Sequence, residues 1–252
     1  MNSNPQTRRS FVLRRLPATL LLTLCLASRL WASDIAAPYL APGHPDAIAL
    51  LAPPPESGSS EEAADLDLVR SVFKSRTPAE EVRAKSEDTS ISFYNFASAI
   101  GPFFQPGKFP KTDALLNKVK VDIRESIGIP KKHWNRKRPY QMDSSLTFSS
   151  PEKSASYPSG HSSYATVNAL ILAELFPKKR EAILKEGRDI GWDRVLIGKH
   201  FLTDIRAGRV LGQAIVRELM ANPAFQHDLA EAKAEIDAAR VAKGIDSSSI
   251  DW

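Results

Sequence analysis

Only one cysteine occurs in the 252 residues, Cys25, and it lies in an apolar run near the N-terminus. Without that run the chain has none, which excludes disulfides, thiolate nucleophiles and cysteine metal sites and leaves stability to packing. No segment alternates apolar and polar residues convincingly enough to read as a strand. The longest apolar stretch beyond the N-terminal run, near residues 169–176, contains Glu174 and is far too short to cross a bilayer. Internal repeats are also missing. His44, His133 and His227 have no metal-ligand spacing and read as surface or structural groups, so no metal or other cofactor is expected.

The basic excess is confined to one end. Lys and Arg total 34 against 29 Asp and Glu. Residues 1–33 hold Arg8, Arg9, Arg14, Arg15 and Arg29 and no acid, so without them the two signs balance at 29 each. A nucleic-acid-binding surface is therefore not implied. Arginines followed by the apolar run 16–27 read as a signal peptide over 1–33, cut between Ala27 and Asp34. The Arg8-Arg9 pair suits twin-arginine export and the leucines suit the general secretory route, so the expected location is periplasmic or secreted.

Residues 34–60, rich in Pro and Ser, read as an extended arm able to reach a neighbouring copy, and 61–252 as one compact all-α domain. Ser59 with Glu62, and Thr77 with Glu80, fit capping boxes at two helix starts. Leu115, Leu116, Val119, Ile123 and Ile127 keep helical spacing from Thr112 until Gly128 and Pro130 interrupt. Further helices are predicted from Gly160 to a stop at Pro177, over 179–196 and 203–221, and from Pro223 to about Ala242.

Three segments carry chemistry. Lys131 and Arg138 are seven apart, close enough on one helix face to grip a single anion, while Pro139 pushes Arg138 to a helix end or turn. Alone, the run from Lys131 to Arg138 is a solvated basic stretch. Ser159-Gly160-His161 opens an apolar helix after Pro158, aiming main-chain N–H groups at an anion, with His161 able to deliver a proton; alone, it is a capping turn. His200 and Asp204 are one helical turn apart, so the carboxylate can orient the imidazole as a nucleophile; alone, this is a common surface pair.

Taken together these residues resemble the class A nonspecific acid phosphatases of bacteria, in the superfamily of type 2 phosphatidic acid phosphatases and vanadium haloperoxidases. That pattern, Lys-x6-Arg-Pro, Pro-Ser-Gly-His and Ser-Arg-x5-His-x3-Asp, is met in order and spacing at every position but one, and the likeness extends over most of residues 50–236. The resemblance implies an all-helical domain and periplasmic, metal-independent hydrolysis of small phosphomonoesters, with phosphate or vanadate inhibiting. It implies His200 as nucleophile forming a phosphohistidine, Asp204 as its partner and His161 as general acid. Lys131, Arg138, Ser159, Gly160 and Arg194 would bind phosphate oxygens.

The departure is Asp193, where that pattern has serine. A carboxylate about 5 Å from a phosphate charge costs roughly 3 kcal/mol at an effective dielectric near 20. The expectation is that Asp193 turns instead to Lys131 or Arg194 and orients it. Two alternatives stay open: a vanadate-dependent haloperoxidase using the same cage, and a catalytically impaired phosphate-binding protein.

Overall fold

The computed structural model describes residues 38–88 and 91–242 besides Met1, and the expected signal peptide and its cleavage point lie outside them. Among the described residues the secondary structure is helical, with no strand, as expected for an all-α domain. No described helix is long and apolar enough to cross a membrane.

The centre is Gly160–Leu175 (α7), a helix buried on most sides, flanked by Arg180–Leu196 (α8) and Leu202–Ala221 (α9). Glycines let the three approach closely. A Cβ on Gly187 of α8 would lie 2.7 Å from the Ala169 Cβ, and one on Gly208 of α9 would lie 2.7 Å from the Ser159 carbonyl oxygen. Real Cβ atoms do not tolerate such distances, so side chains there would force the helices apart.

Around this trio lie the remaining helices. Ser60–Ser75 (α2) and Pro78–Asp88 (α3) start at the two expected caps: Ser59 Oγ accepts from the Glu62 N–H at 3.1 Å, and Thr77 N–H donates to Glu80 at 2.7 Å. Short Ala47–Leu50 (α1) and Ala97–Ile100 (α4) also pack on the body. The arm is thus not wholly extended, and it lies on its own chain: Asp122 accepts the main-chain N–H groups of Tyr39 and Leu40 at 3.2 and 2.9 Å.

The helix expected from Thr112 to Gly128 is longer at both ends, Pro110–Trp134 (α5). Its first turn is capped by Glu235 of Pro223–Ala242 (α10), which accepts from Lys111 and Thr112 N–H at 3.0 Å each. At the other end the helix runs through Pro130. A mid-helix proline costs about 3 kcal/mol. Pro130 is buried, and the next turn packs Trp134 edge-on against Tyr157 at 5.1 Å, which offsets that cost. Asn135, in the left-handed region at φ 42°, ends the helix.

Candidate active site

Asp204 sits in the first turn of α9, where its Oδ2 accepts the Phe201 N–H at 2.9 Å. His200 is not on that helix, as the four-residue spacing suggested, but in the bend just before it. The cap still brings the pair together, with His200 Nδ1 3.2 Å from Asp204 Oδ2. Ser156 donates its hydroxyl to the same carboxylate. Asp204 Oδ1 accepts from Arg136 at 2.7 Å. Both His200 and Asp204 are buried.

Partners fix the His200 tautomer. Nε2 lies 3.1 Å from Arg138 Nη1. A guanidinium can only donate, so Nε2 carries the lone pair and Nδ1 the hydrogen that faces Asp204. Burial and then the charge of Arg138 push the His200 pKa well below its ordinary value, which keeps the imidazole neutral.

Lys131 and Arg138 do not share a helix face. Lys131 is in the last turn of α5, while Arg138 lies beyond it in extended backbone, capping the one-turn helix Pro139–Met142 (α6). Main-chain carbonyls hold both. Arg138 donates to Ser154 O at 2.9 Å and Lys199 O at 3.0 Å, and Lys131 Nζ donates to Ala155 O and Ser156 O. Burial, then the nearby Arg138, lowers Lys131 to about 7.

Ser159 caps α7, its Oγ accepting from the Ser162 N–H at 3.3 Å, and its own N–H reaches the Asp204 carbonyl at 3.0 Å. This ties the starts of α7 and α9. A Cβ on Gly160 would meet only Lys131 Cε at 3.9 Å, so the approach to this N-terminus is open. His161 follows in the first turn. Its Nε2 is buried without a partner, and burial followed by Arg194 lowers its pKa to about 3.

Arg194 is buried near the end of α8. Its Nη1 donates to Asp88 at 2.7 Å and its Nη2 to Glu152 at 2.8 Å, while Nε has no partner. Arg194 Nε and His161 Nε2 are thus buried polar atoms with no hydrogen-bond partner among the described residues.

Asp193 corrects the sequence expectation. It faces neither Lys131 nor Arg194; Arg83 of α3 grips both its oxygens, Nε at 2.8 Å and Nη2 at 2.5 Å. Its carboxylate charge is met by a cation, which offsets the repulsion anticipated from the sequence. Burial raises its pKa, with Arg83 pulling the other way.

Several residues were not anticipated. Arg136, read as part of a solvated basic run, is buried: it pairs with Asp65 and Asp204 and stacks 3.9 Å over the Phe201 ring. Arg83, Asp88, Glu152 and Ser156 were also passed over. Their side-chain hydrogen-bond partners lie 42 to 110 positions away, and the sequence carries no local signal of that.

Residues 121–227 match the PAP2 superfamily. An acid phosphatase of Zymomonas mobilis subsp. mobilis is 30% identical over 209 residues, covering 79% of this chain and 78% of its own length. A non-specific acid phosphatase of Providencia stuartii is 30% identical over 200 residues, 75% of this chain and 80% of its own. One from Salmonella typhi is 32% identical over 162 residues, 60% of this chain and 65% of its own.

Proposed function

The chain belongs to the acid phosphatases of the PAP2 superfamily, and on that premise we propose that it hydrolyses phosphomonoesters through a phosphohistidine on His200, without a metal, after export to the periplasm. The observation that carries this reading is the His200 tautomer: Nδ1–H held by Asp204 and the Nε2 lone pair directed at Arg138. A phosphoryl oxygen entering the site competes for Arg138 and frees Nε2 to attack phosphorus. The P–N bond forms as the ester P–O bond breaks, and His161 Nε2 delivers a proton to the departing alcohol. Water then attacks the phosphohistidine with His161 as base, and phosphate leaves. Lys131, Arg138, Arg194, the Ser159 hydroxyl and the Gly160 N–H stabilise the charge on the three equatorial oxygens.

Acidity follows from His161. In the empty site burial keeps it neutral, so the proton for the leaving group arrives with the substrate. The second ionisation of a phosphomonoester lies near 6, so kcat/KM falls as pH rises past about 6 and the monoanion disappears.

Rapid quench with labelled phosphomonoester, followed by peptide mapping under mild alkali, tests the mechanism. The expected result is an acid-labile adduct on His200, formed equally in chelator. Label on a serine, or turnover that chelator abolishes, overturns it. Recovery of mature protein from the periplasm, beginning between residues 28 and 34, tests export.

A further inference from the structure

The position that departs from the family pattern has its counterpart in α3, a helix that contributes none of the pattern's residues. Two residues of α3 pair with adjacent residues of α8: Arg83 binds Asp193 through two hydrogen bonds, and Asp88 accepts from Arg194. The helix is otherwise poorly secured: its buried residues are Ala84 and Glu87 only. Apolar burial contributes little there, and two ion pairs, Arg83–Asp193 and Asp88–Arg194, join it to α8.

We propose that Arg83 is a positioning residue of the phosphate site: by locking α3 to Asp193 it sets Asp88 against Arg194, which turns the Arg194 Nε toward the substrate. This rests on the phosphatase reading. The geometry is specific on one point. Asp88 and Glu152 take the two terminal nitrogens of Arg194 and leave its Nε without a partner among the described residues. Serine at position 193 could not bind an arginine in this two-pronged way, so Arg83 and Asp193 form one device.

The test measures inorganic phosphate binding by calorimetry on the full mature protein, alongside turnover, for Asp88→Asn, Arg83→Ala and the double variant. Each single change is expected to weaken phosphate about tenfold, as for loss of one charge-assisted contact. Because Arg83 acts through Asp88, the double variant should bind no worse than Asp88→Asn alone. Additive losses, or single losses under twofold, overturn the proposal; tighter binding by Asp88→Asn also overturns it, because Asp88 would then compete with the anion. If Arg83→Ala does not fold, Arg83→Lys and Asp193→Ser take its place, and the lysine is expected to retain part of the affinity. Wild-type protein that binds phosphate without hydrolysing esters defeats the phosphatase reading alone. Active wild type with variants of unaltered affinity defeats this inference alone.

Discussion

Arg138 and Arg194 stand on two sides of the same site and are held in opposite ways. Arg138 donates to neutral main-chain carbonyls of Ser154 and Lys199, whereas Arg194 donates to the carboxylates of Asp88 and Glu152. Carbonyls position a guanidinium without pairing its charge directly, so Arg138 keeps more attraction for an anion than a carboxylate-bound arginine. Carboxylates position more rigidly and neutralise as they do so. One side of the site therefore supplies charge, and the other supplies orientation. The same contrast runs through their neighbours. Lys131 rests on carbonyls of Ala155 and Ser156, while Asp193 and Arg83 satisfy each other.

The sharpest way to break this comparison is through turnover. Arg138→Ala should lower kcat about 10²–10³-fold, the usual loss for one preorganised donor at developing charge. It removes a cation beside His200. Steady-state kinetics on nitrophenyl phosphate measure it, and a loss below tenfold would mean that Arg138 is not the charge-supplying side.

Stability should rank the two arginines the other way. Arg194→Ala removes the closest cation from Asp88, which is largely shielded from water, and breaking such a pair costs about 3 kcal/mol or more. Arg138→Ala leaves neutral acceptors unpaired, the Ser154 and Lys199 carbonyls and His200 Nε2, at about 1–3 kcal/mol. Urea unfolding at neutral pH compares them; equal midpoints would erase the distinction between carbonyl and carboxylate support.

The smallest effect sharpens the carboxylate side. Glu87 is buried beside Asp193, and burial first, then the Asp193 charge, raises its pKa to about 8. A carboxyl raised in the folded state binds its proton more tightly folded than unfolded. Its stabilising contribution is full below the unfolded value near 4.3 and is lost as pH rises toward 8. Glu87→Gln should thus raise Tm by a few degrees at pH 8 and change it little at pH 5. A shift of equal size at both pH values would show that Glu87 is not protonated in the fold.

Asp88 belongs to the opposite class. Burial alone would raise it, but hydrogen bonds from Ser149 and Arg194 leave it below its ordinary value. Two adjacent residues of one helix are therefore held in different protonation states by what packs against them. Nothing in the dipeptide Glu87-Asp88 distinguishes them.

Helix starts at Thr77 and Ser159, the apolar helix α7 and the nearness of His200 to Asp204 were legible in the sequence because they depend on residues within about one turn of each other. Lys131, Arg138, Ser159, His161 and Arg194 were singled out for a different reason: phosphate chemistry admits few residue types, and their order matched a known pattern. Tertiary structure decided the rest. Glu235 starts α5 from more than a hundred positions away, burial carries that helix through Pro130, and Gly187 and Gly208 set how closely α8 and α9 meet α7. Arg136 became a buried partner of Asp204, and Asp193 took Arg83 in place of the cations nearer in the motif. Charge pairing acts through space over a few ångströms, so a chain specifies which charges exist, and only folding specifies which of them meet.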